Sequence, residues 1–332
     1  ARARVPHVRA AGATVRPESR AGRGRISALG GLLRPYCEIL MVIQQLINGL
    51  SLGAVYSLIA VGFALVFNIL KFSNFSQGGV LSVTAYVGFL IATGLDLGFV
   101  PTLLLTAVAG AILALGIERV AFRRLRRKKS PIIYYFVSSI TMGILLENLI
   151  TVFFSSNFYS YPRFFENPTF TVGGFTIAVL DVTMLGISAV SLGILMFVLY
   201  KTVLGTAIRS ISMDQDTSRL MGINVDMIIA ATFVLVGIFG GLGGVFLGLK
   251  YTLYPQLGKL IVKGFVASVI GGLGNIFGAV VGAVLLGLIE VLLIGVPFIG
   301  SGLSPVVIFV LLLAFLIVRP QGIAGILIKE KA

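Results

Sequence analysis

The sequence has few charged residues and almost none of the side chains used for catalysis or metal binding. Charged residues make up 11% of the chain and hydrophobic residues 57%, whereas a soluble domain carries about 25% charged residues. Tryptophan is absent, and the single cysteine and histidine, Cys37 and His7, precede Met41. From Met41 onward the sequence therefore excludes disulfides, Cys/His metal sites and the usual general base of hydrolytic enzymes.

A second absence concerns energy. The chain contains no G-x-x-x-x-G-K-[ST] sequence, the glycine-rich loop that holds ATP phosphates. It therefore has no nucleotide site of the usual kind, and we expect it to bind no cofactor itself. If it acts in ATP-driven transport, a partner subunit must bind the ATP and must dock on its cytoplasmic face.

The residues that are present form several apolar runs of about 20 residues, long enough to cross a bilayer as helices. Lipid leaves open backbone groups unsatisfied, and the ten-residue alternation of a membrane barrel is missing. We predict an all-α, polytopic helical protein in a lipid bilayer, multi-pass in the cell (inner or plasma) membrane, with about eight or nine transmembrane or re-entrant helices. They are predicted near 43–70, 76–95, 99–118, 132–155, 175–200, 228–249, 264–275, 277–296 and 305–318.

The distribution of positive charge predicts the orientation. Residues 119–129 carry seven arginines and lysines, so this loop is predicted to be cytoplasmic. Alternation then places 156–174 outside, and 201–227 and the tail from Arg319 inside. The same alternation places Met41 outside.

Residues 1–40 are basic, with eight arginines and two acidic residues. Three interpretations stay open: translated sequence upstream of a start at Met41, which we favour; an Arg-rich presequence; or a disordered basic arm on lipid headgroups. No folded module accompanies the arginines, so no nucleic-acid partner is expected. The domain prediction is an extension over 1–40, a permease body over 41–322 and a cytoplasmic tail over 323–332.

Two segments are irregular and resemble broken or re-entrant helices: 71–79 interrupts an apolar run with polar residues and two glycines, and 264–275 is too short to span about 30 Å. Broken helices at membrane depth are tolerated where they line a cavity, and they point to a translocation pathway. Ordinary glycine-rich loops are the alternative. Each break follows a long glycine-containing span, which suggests a weak internal repeat. The predicted pathway residues are Asn74, Phe75, Ser76, Gln77, Gly78, Gly271, Gly272 and Gly274.

Two carboxylates, Glu147 and Glu290, lie inside predicted spans, and Asp181 lies near the end of one. Intramembrane carboxylates are candidates for function. Either glutamate could couple an ion gradient to transport in a self-contained secondary transporter, or could be a hydrogen-bonded structural residue. The sequence shows no partner for either one.

The most distinctive segment is 201–227, a stretch of mixed charge between two apolar spans, hereafter the docking loop. Arginine, aspartate, methionine and leucine recur in it with helical spacing. An exposed turn does not need this composition, so the loop predicts a protein partner on one side of the membrane.

From Met41 to about Gly322 the chain resembles the permease subunits of branched-chain amino acid ABC importers of the LivH type. The resemblance rests on QQLINGLSLGAVYSLIAVGFALVF at 44–67, FSNFSQGGVLSVTAYVGF at 72–89, GTAIRSISMDQDTSRLMGINVD at 205–226, KGFVASVIGGLGNIFGAVVGAVLLGLIE at 263–290, and RPQG at 319–322.

The resemblance implies that the docking loop forms a short coupling helix seated in a cytoplasmic ATPase. The matching positions are Arg209, Asp214, Arg219, Leu220, Met221, Gly222, Ile223 and Asn224, and an apolar edge would include Ile211. Met213, Thr217 and Ser218 depart from the family pattern. The resemblance also implies a second homologous permease subunit, two cytoplasmic ATP-binding subunits and an extracytoplasmic solute-binding protein.

The function expected from the resemblance is import of branched-chain or other apolar amino acids by alternating access, with no bond chemistry in this subunit. Related permeases carry urea or short amides, and no residue here decides between these solutes. The ion-coupled transporter is the alternative from another class. A membrane enzyme has little support, because no catalytic constellation is visible.

Overall fold

The structure, a computed structural model, describes residues 20–165, 169–172, 175–295, 300–319 and 321–325, with side chains from residue 42 onward except at 172–175 and 301. Seven helices are long and apolar enough to cross a membrane. The prediction of an all-α polytopic membrane protein is confirmed. The spans are Val42–Leu70, Ser76–Gly94, Phe99–Arg127, Ile132–Phe154, Val179–Lys201, Val225–Lys250 and Ile276–Ile294.

The chain divides into two units, residues 1–43 and 44–332. In the first unit, the described backbone from residue 20 is helical, whereas we expected the first helix to begin near residue 43. The predictions for residues 1–19 fall outside the described residues, as does most of the tail predicted at 323–332. Everything below concerns the second unit.

The helices are α1 (Arg20–Leu70), α2 (Ser76–Gly94), α3 (Phe99–Ile117), α4 (Arg123–Arg127), α5 (Ile132–Phe154), α6 (Val179–Lys201), α7 (Val203–Met213), α8 (Gln215–Leu220), α9 (Val225–Lys250), α10 (Ile261–Gly271), α11 (Ile276–Ile294) and α12 (Gly300–Val318). A π-helical turn, Glu118–Phe122, joins α3 to α4, and a 3-10 helix, Pro255–Leu260, precedes α10.

One predicted helical start is wrong. Residues 175–178 form strand β2 (Phe175–Ala178), which pairs antiparallel with β1 (Thr169–Val172), with Thr169 opposite Ala178. Both strands are rich in β-branched and aromatic residues, which favour extended backbone. Helix α6 consequently begins at Val179.

Helix α1 forms the centre of the bundle. Every residue from 51 to 66 is buried, including Tyr56 and Phe63, so the helix is covered on all sides. A helix that is apolar all round belongs in such a position. Neighbouring helices approach it closely at glycines: a Cβ at Gly53 would lie 2.8 Å from the Cα of Val284 on α11.

Helices α3 and α9 touch through their backbones at a glycine stripe. A Cβ at Gly237 would lie 2.3 Å from the carbonyl oxygen of Gly110, and one at Gly241 would lie 2.7 Å from the Cα of Ala107. Small residues permit this approach, which replaces the hydrophobic driving force that lipid does not supply.

Two crossings of the bundle are broken. Helix α1 ends at Leu70, and α2 begins at Ser76 after an irregular stretch; this stretch and the first turn of α2, residues 71–79, are called the inner break. The inner break turns back into the bundle: a Cβ at Gly62 would lie 2.1 Å from Nε2 of Gln77. Gly62 lies eight residues before the end of α1, so α2 starts about 12 Å inside that end at 1.5 Å per residue.

The second broken crossing consists of α9 and α10, and it enters the bundle from the end opposite to the first. Helix α9 ends at Lys250, and α10 begins only at Ile261, after an outer break (residues 251–260) that contains the 3-10 helix. The two breaks meet, because a Cβ at Gly258 would lie 2.2 Å from the carbonyl oxygen of Gly78. Both segments therefore have the order long helix, break, helix, with opposite directions, as inverted repeats do.

Contacts sort the loops into two ends. At one end, Gln215 of the docking loop reaches Ile69, and Arg126 reaches Asp226. At the other end, Tyr159 pairs with Leu253. This arrangement agrees with the predicted alternation, in which 119–129 and 201–227 share the cytoplasmic side and 156–174 lies outside.

Candidate functional site

The docking loop forms two short helices, α7 and α8, and not the single coupling helix that we expected. Asp214 separates them, because its carboxylate accepts hydrogen bonds from the backbone N–H groups of Asp216 at 2.9 Å and Thr217 at 3.3 Å. A side chain that caps α8 in this way needs the non-helical backbone seen at Asp214.

The Thr217 hydroxyl also donates to the Asp214 carboxylate at 2.6 Å. Hydrogen bonds from Thr217, then from the Asp216 backbone, hold the pKa of Asp214 below its usual value. Since this pKa is lower in the folded state than in the unfolded chain, the cap stabilises α8 at neutral pH. It is lost only as the pH falls through the lowered pKa.

Gly222 ends α8 with a φ of +85°, in the left-handed region that glycine adopts without strain. The next residues connect directly to α9, because the Asn224 side chain caps that helix by accepting from the N–H of Met227 at 3.2 Å. The turn at Gly222 thus fixes how α8 is carried on the end of a membrane-spanning helix.

Three apolar side chains of the docking loop are strongly exposed, and together they are called the apolar knob. Met213, Leu220 and Met221 are 90%, 89% and 79% exposed. Ile211 does not belong to this knob, contrary to the expected apolar edge, because it is buried on the inward face of α7. Exposed apolar side chains grouped beside charges are typical of a protein-binding surface.

The predicted coupling residues include two members of this knob, Leu220 and Met221. The structure leaves seven of them exposed and Ile223 partly buried; the seven are Arg209, Asp214, Arg219, Leu220, Met221, Gly222 and Asn224. Met213 adds to the knob, although it departs from the family pattern.

Two connections fix the docking loop to the membrane helices. The Gln215 side chain donates to the carbonyl oxygen of Ile69 near the end of α1 at 2.9 Å. Arg126 donates to Asp226 at 2.7 Å and to buried Glu118 at 2.8 Å, which joins α4 and the π-helical turn to the start of α9. Sequence reasoning missed these residues, because only the π-helical turn brings Glu118 and Arg126 together.

A cavity of about 540 Å³ lies between the basic loop and the docking loop. Its charged lining residues are Arg126, Arg127, Lys129, Arg219 and Asp226. Four cations against one carboxylate make this surface positive, so an acidic partner surface would complement it.

The inner break contains five of the predicted pathway residues. Asn74 accepts from the Ser76 N–H at 3.2 Å and from the Ser76 hydroxyl at 2.6 Å, which organises the start of α2. Phe75 is held through its N–H by the Ser139 hydroxyl at 3.3 Å. Gln77 is buried, and its Oε1 has no hydrogen-bond partner among the described residues. Gly78 lies against the outer break.

The other three predicted pathway residues lie elsewhere. Gly271, Gly272 and Gly274 form the turn between α10 and α11, at the far end of α10 from the outer break, and Gly274 lines a cavity of about 710 Å³ together with Lys71 of the inner break. The chain end fixes this turn, because Ile323 donates to Ile270 at 2.8 Å and Ala324 donates to Gly271 at 3.0 Å. The structure brings the inner break together with residues 251–260, which carried only a weak signal in the sequence.

Glu290 has partners that the sequence did not reveal. Its carboxylate accepts from Lys263 at 2.5 Å and from the Tyr56 hydroxyl at 3.1 Å, inside the bundle. Lys263 also donates to Tyr56 at 3.1 Å. A second ion pair joins Lys250 to Asp181 at 2.6 Å, with Ser51 donating to the same carboxylate oxygen at 2.9 Å.

Within the described ranges, no group of three or more His, Cys, Asp or Glu residues is arranged to hold a metal ion. The described structure thus presents a helical bundle with two broken crossings and one exposed docking loop. These features define a class, the multi-pass membrane permease.

The family follows from comparison with known proteins. The family described as branched-chain amino acid transport system / permease component matches residues 45–316. The chain belongs to this family, and it is a multi-pass protein of the inner membrane.

The relatives are similar over nearly their whole length. The permease protein BraD of a high-affinity branched-chain amino acid transport system in Pseudomonas aeruginosa is 36% identical over 87% of this chain and 97% of its own. LivH of Salmonella typhimurium, of a system with the same description, is 33% identical with the same coverage. A probable branched-chain amino acid permease, LivH of Methanocaldococcus jannaschii, is 29% identical over 81% of this chain and 88% of its own.

Proposed function

We propose that this chain is the membrane-spanning permease subunit of an ATP-driven importer for branched-chain or other apolar amino acids. The family membership and the names of the relatives support the substrate class. The docking loop, an exposed apolar knob ringed by charge at the end of the bundle, is the observation that carries the ATP-driven assignment.

The proposed partners are two cytoplasmic ATP-binding subunits, a second related permease and an extracytoplasmic solute-binding protein. An ATP-binding subunit seats the Met213, Leu220 and Met221 side chains in an apolar groove. Its acidic residues face the cations that line the cavity beside the loop. The permease itself catalyses no reaction and binds no cofactor; the partner binds the ATP.

Movement of the docked subunit reaches the membrane helices through two contacts. Gln215 transmits the movement to the end of α1 through its hydrogen bond to Ile69. The residues that follow α1 form the inner break. Asp226 and Arg126 connect the base of α9 to Glu118 below α3. The inner break, where Asn74 to Gly78 start α2, borders the solute pathway and changes its access with the ATP cycle. A solute can bias this cycle only through contacts that differ between the two states.

The contacts of Glu290 count against the ion-coupled alternative. A coupling carboxylate must gain and release an ion during transport, whereas Glu290 is already neutralised by Lys263 and hydrogen-bonded to Tyr56. We assign this cluster a structural role in joining α1, α10 and α11.

A solute panel tests the substrate class. The chain is reconstituted in liposomes with its partner subunits, and ATP-dependent uptake of leucine, isoleucine, valine, urea and acetamide is measured side by side. Saturable uptake of the three amino acids, each competing with the others, supports the proposal. Preferential uptake of urea or acetamide contradicts it.

A further inference from the structure

Two charged side chains, Lys259 and Glu147, lie at membrane depth beside the meeting point of the two breaks. Lys259 follows Gly258, which touches Gly78. Glu147 follows Leu146, whose Cβ lies 2.8 Å from the position of a Cβ on Gly79. Both charges therefore lie at the level where α2 begins.

This level is well inside the bilayer. Glu147 lies seven residues before the end of α5 and fifteen after its start, which puts it about 10 Å and about 22 Å from the two ends at 1.5 Å per residue. Lys259 is exposed on the surface of the chain, and Glu147 is partly exposed.

These two residues differ from the other intramembrane charges. Lys263 and Lys250 are in tight ion pairs with Glu290 and Asp181. Lys259 and Glu147 lie on elements that contact each other, the 3-10 helix and α5, yet neither is within ion-pair distance of an opposite charge in the described part of the chain.

Charged side chains at this depth face a water-filled cavity or another protein surface, because exposure to hydrocarbon is costly. Lys259 and Glu147 lie beside the two breaks, where broken helices line a pathway, so their surface is assigned to the solute pathway and not to a contact with another subunit.

An apolar wall lies at the inner break, which the outer break with Lys259 contacts. Phe75 of the inner break packs against Phe63 of α1 at 5.6 Å, Phe265 of α10 at 5.3 Å and Phe136 of α5 at 5.7 Å between ring centroids. One cation, one anion and an aromatic wall match the three parts of an apolar amino acid.

We propose that Lys259 binds the carboxylate and Glu147 the ammonium group of the amino acid as it passes the two breaks, with its side chain against the phenylalanine cluster. This site rests on the proposed function and adds to it the residues that recognise the zwitterion.

Cysteine accessibility tests the site, because Cys37 is the only native cysteine. In a Cys37→Ser background, Glu147→Cys and Lys259→Cys are introduced one at a time into the reconstituted importer. A charged, membrane-impermeant methanethiosulfonate reagent is then applied with and without leucine-loaded binding protein and ATP. Leu149→Cys is the control, since Leu149 is exposed at nearly the same depth on the opposite face of α5.

The site predicts that both test positions react, that Leu149→Cys does not, and that leucine with binding protein slows both reactions several-fold. If neither test position reacts, or if all three react alike whether leucine is present or not, the site is overturned.

Uptake measurements supply a second readout. Lys259→Met and Glu147→Gln should lower leucine uptake at least tenfold while ATP hydrolysis stimulated by the binding protein persists, and Asp96→Asn in an outer loop should change neither. Unchanged uptake in both variants overturns the site. A wild-type importer that fails to take up leucine contradicts the proposed function instead.

Discussion

At the scale of single residues, Gly222 is the position where the backbone conformation limits which side chains are tolerated. Its φ of +85° is unfavourable for a branched side chain, although the space around a Cβ there is open. The strain costs about 1–2 kcal/mol and reorients α8 relative to α9 if the turn relaxes.

We therefore expect Gly222→Val to increase the ATP hydrolysed per leucine transported, while the protein still inserts and assembles. The ratio of phosphate released to leucine accumulated in liposomes measures this. Gly222→Asn is the matched control, because asparagine tolerates the left-handed region better than valine. Equal ratios in Gly222→Val and the wild type would contradict the docking role of the loop.

The Lys263–Glu290 pair gives a second prediction at this scale. Removing one partner leaves the other charge buried, which costs about 3–5 kcal/mol. Lys263→Met should therefore lower the melting temperature in detergent, and the double variant Lys263→Met/Glu290→Leu should recover much of the loss. A double variant as unstable as the single one would show that the two side chains do not act as a pair.

Residue identities predicted an exposed segment of mixed charge at the docking loop and an interruption at the inner break, but they missed the partners of buried charges. Glu290 pairs with Lys263, which is 27 positions away in the sequence, and Arg126 pairs with Asp226, which is 100 positions away. Such pairs depend on how α10 and α4 are placed in space. Hydropathy reads segments one at a time and carries no information about that placement.

At the scale of elements, the α3–α9 contact is a close approach of two helices that glycine makes possible. Gly237→Leu would force a side chain into the Gly110 backbone, so α3 and α9 must separate, and overpacking of this kind costs about 1–3 kcal/mol or more. We expect a lower melting temperature and less assembled importer, measured by thermal unfolding and size-exclusion chromatography.

Gly116→Leu on α3 is the matched control, since a Cβ there meets no atom within 4 Å. If both variants unfold at the same temperature as the wild type, the backbone contact is not what holds α3 to α9.

The broken crossings show what the sequence could and could not predict about elements. Polar residues and glycines at 71–79 indicated the interruption, which is irregular over 71–75, while residues 76–79 belong to α2. The second segment, 264–275, was predicted to be too short to span, and the helix there, α10, has 11 residues, Ile261–Gly271, without an internal break. The outer break precedes α10, at residues 251–260. Tyr251, Tyr254 and Leu257 make this stretch apolar, so its hydropathy did not indicate a break.

At the scale of the whole molecule, the family match begins at residue 45. The first 40 residues are therefore predicted to be dispensable. Deleting residues 1–40 should leave membrane insertion and leucine uptake unchanged, as judged by membrane fractionation and the uptake rate per assembled importer. A loss of insertion would mean that this basic segment takes part in targeting or topology.

The central claim is that this chain moves solute only when an ATP-driven partner is docked on it. The most direct measurement is leucine uptake into liposomes that hold the complete set of subunits, repeated with each subunit omitted in turn and with ATP on the ATPase side. We predict that uptake requires ATP and every subunit. Uptake by this chain alone, driven by a proton or sodium gradient, would contradict the claim and return the coupling role to Glu147 or Glu290.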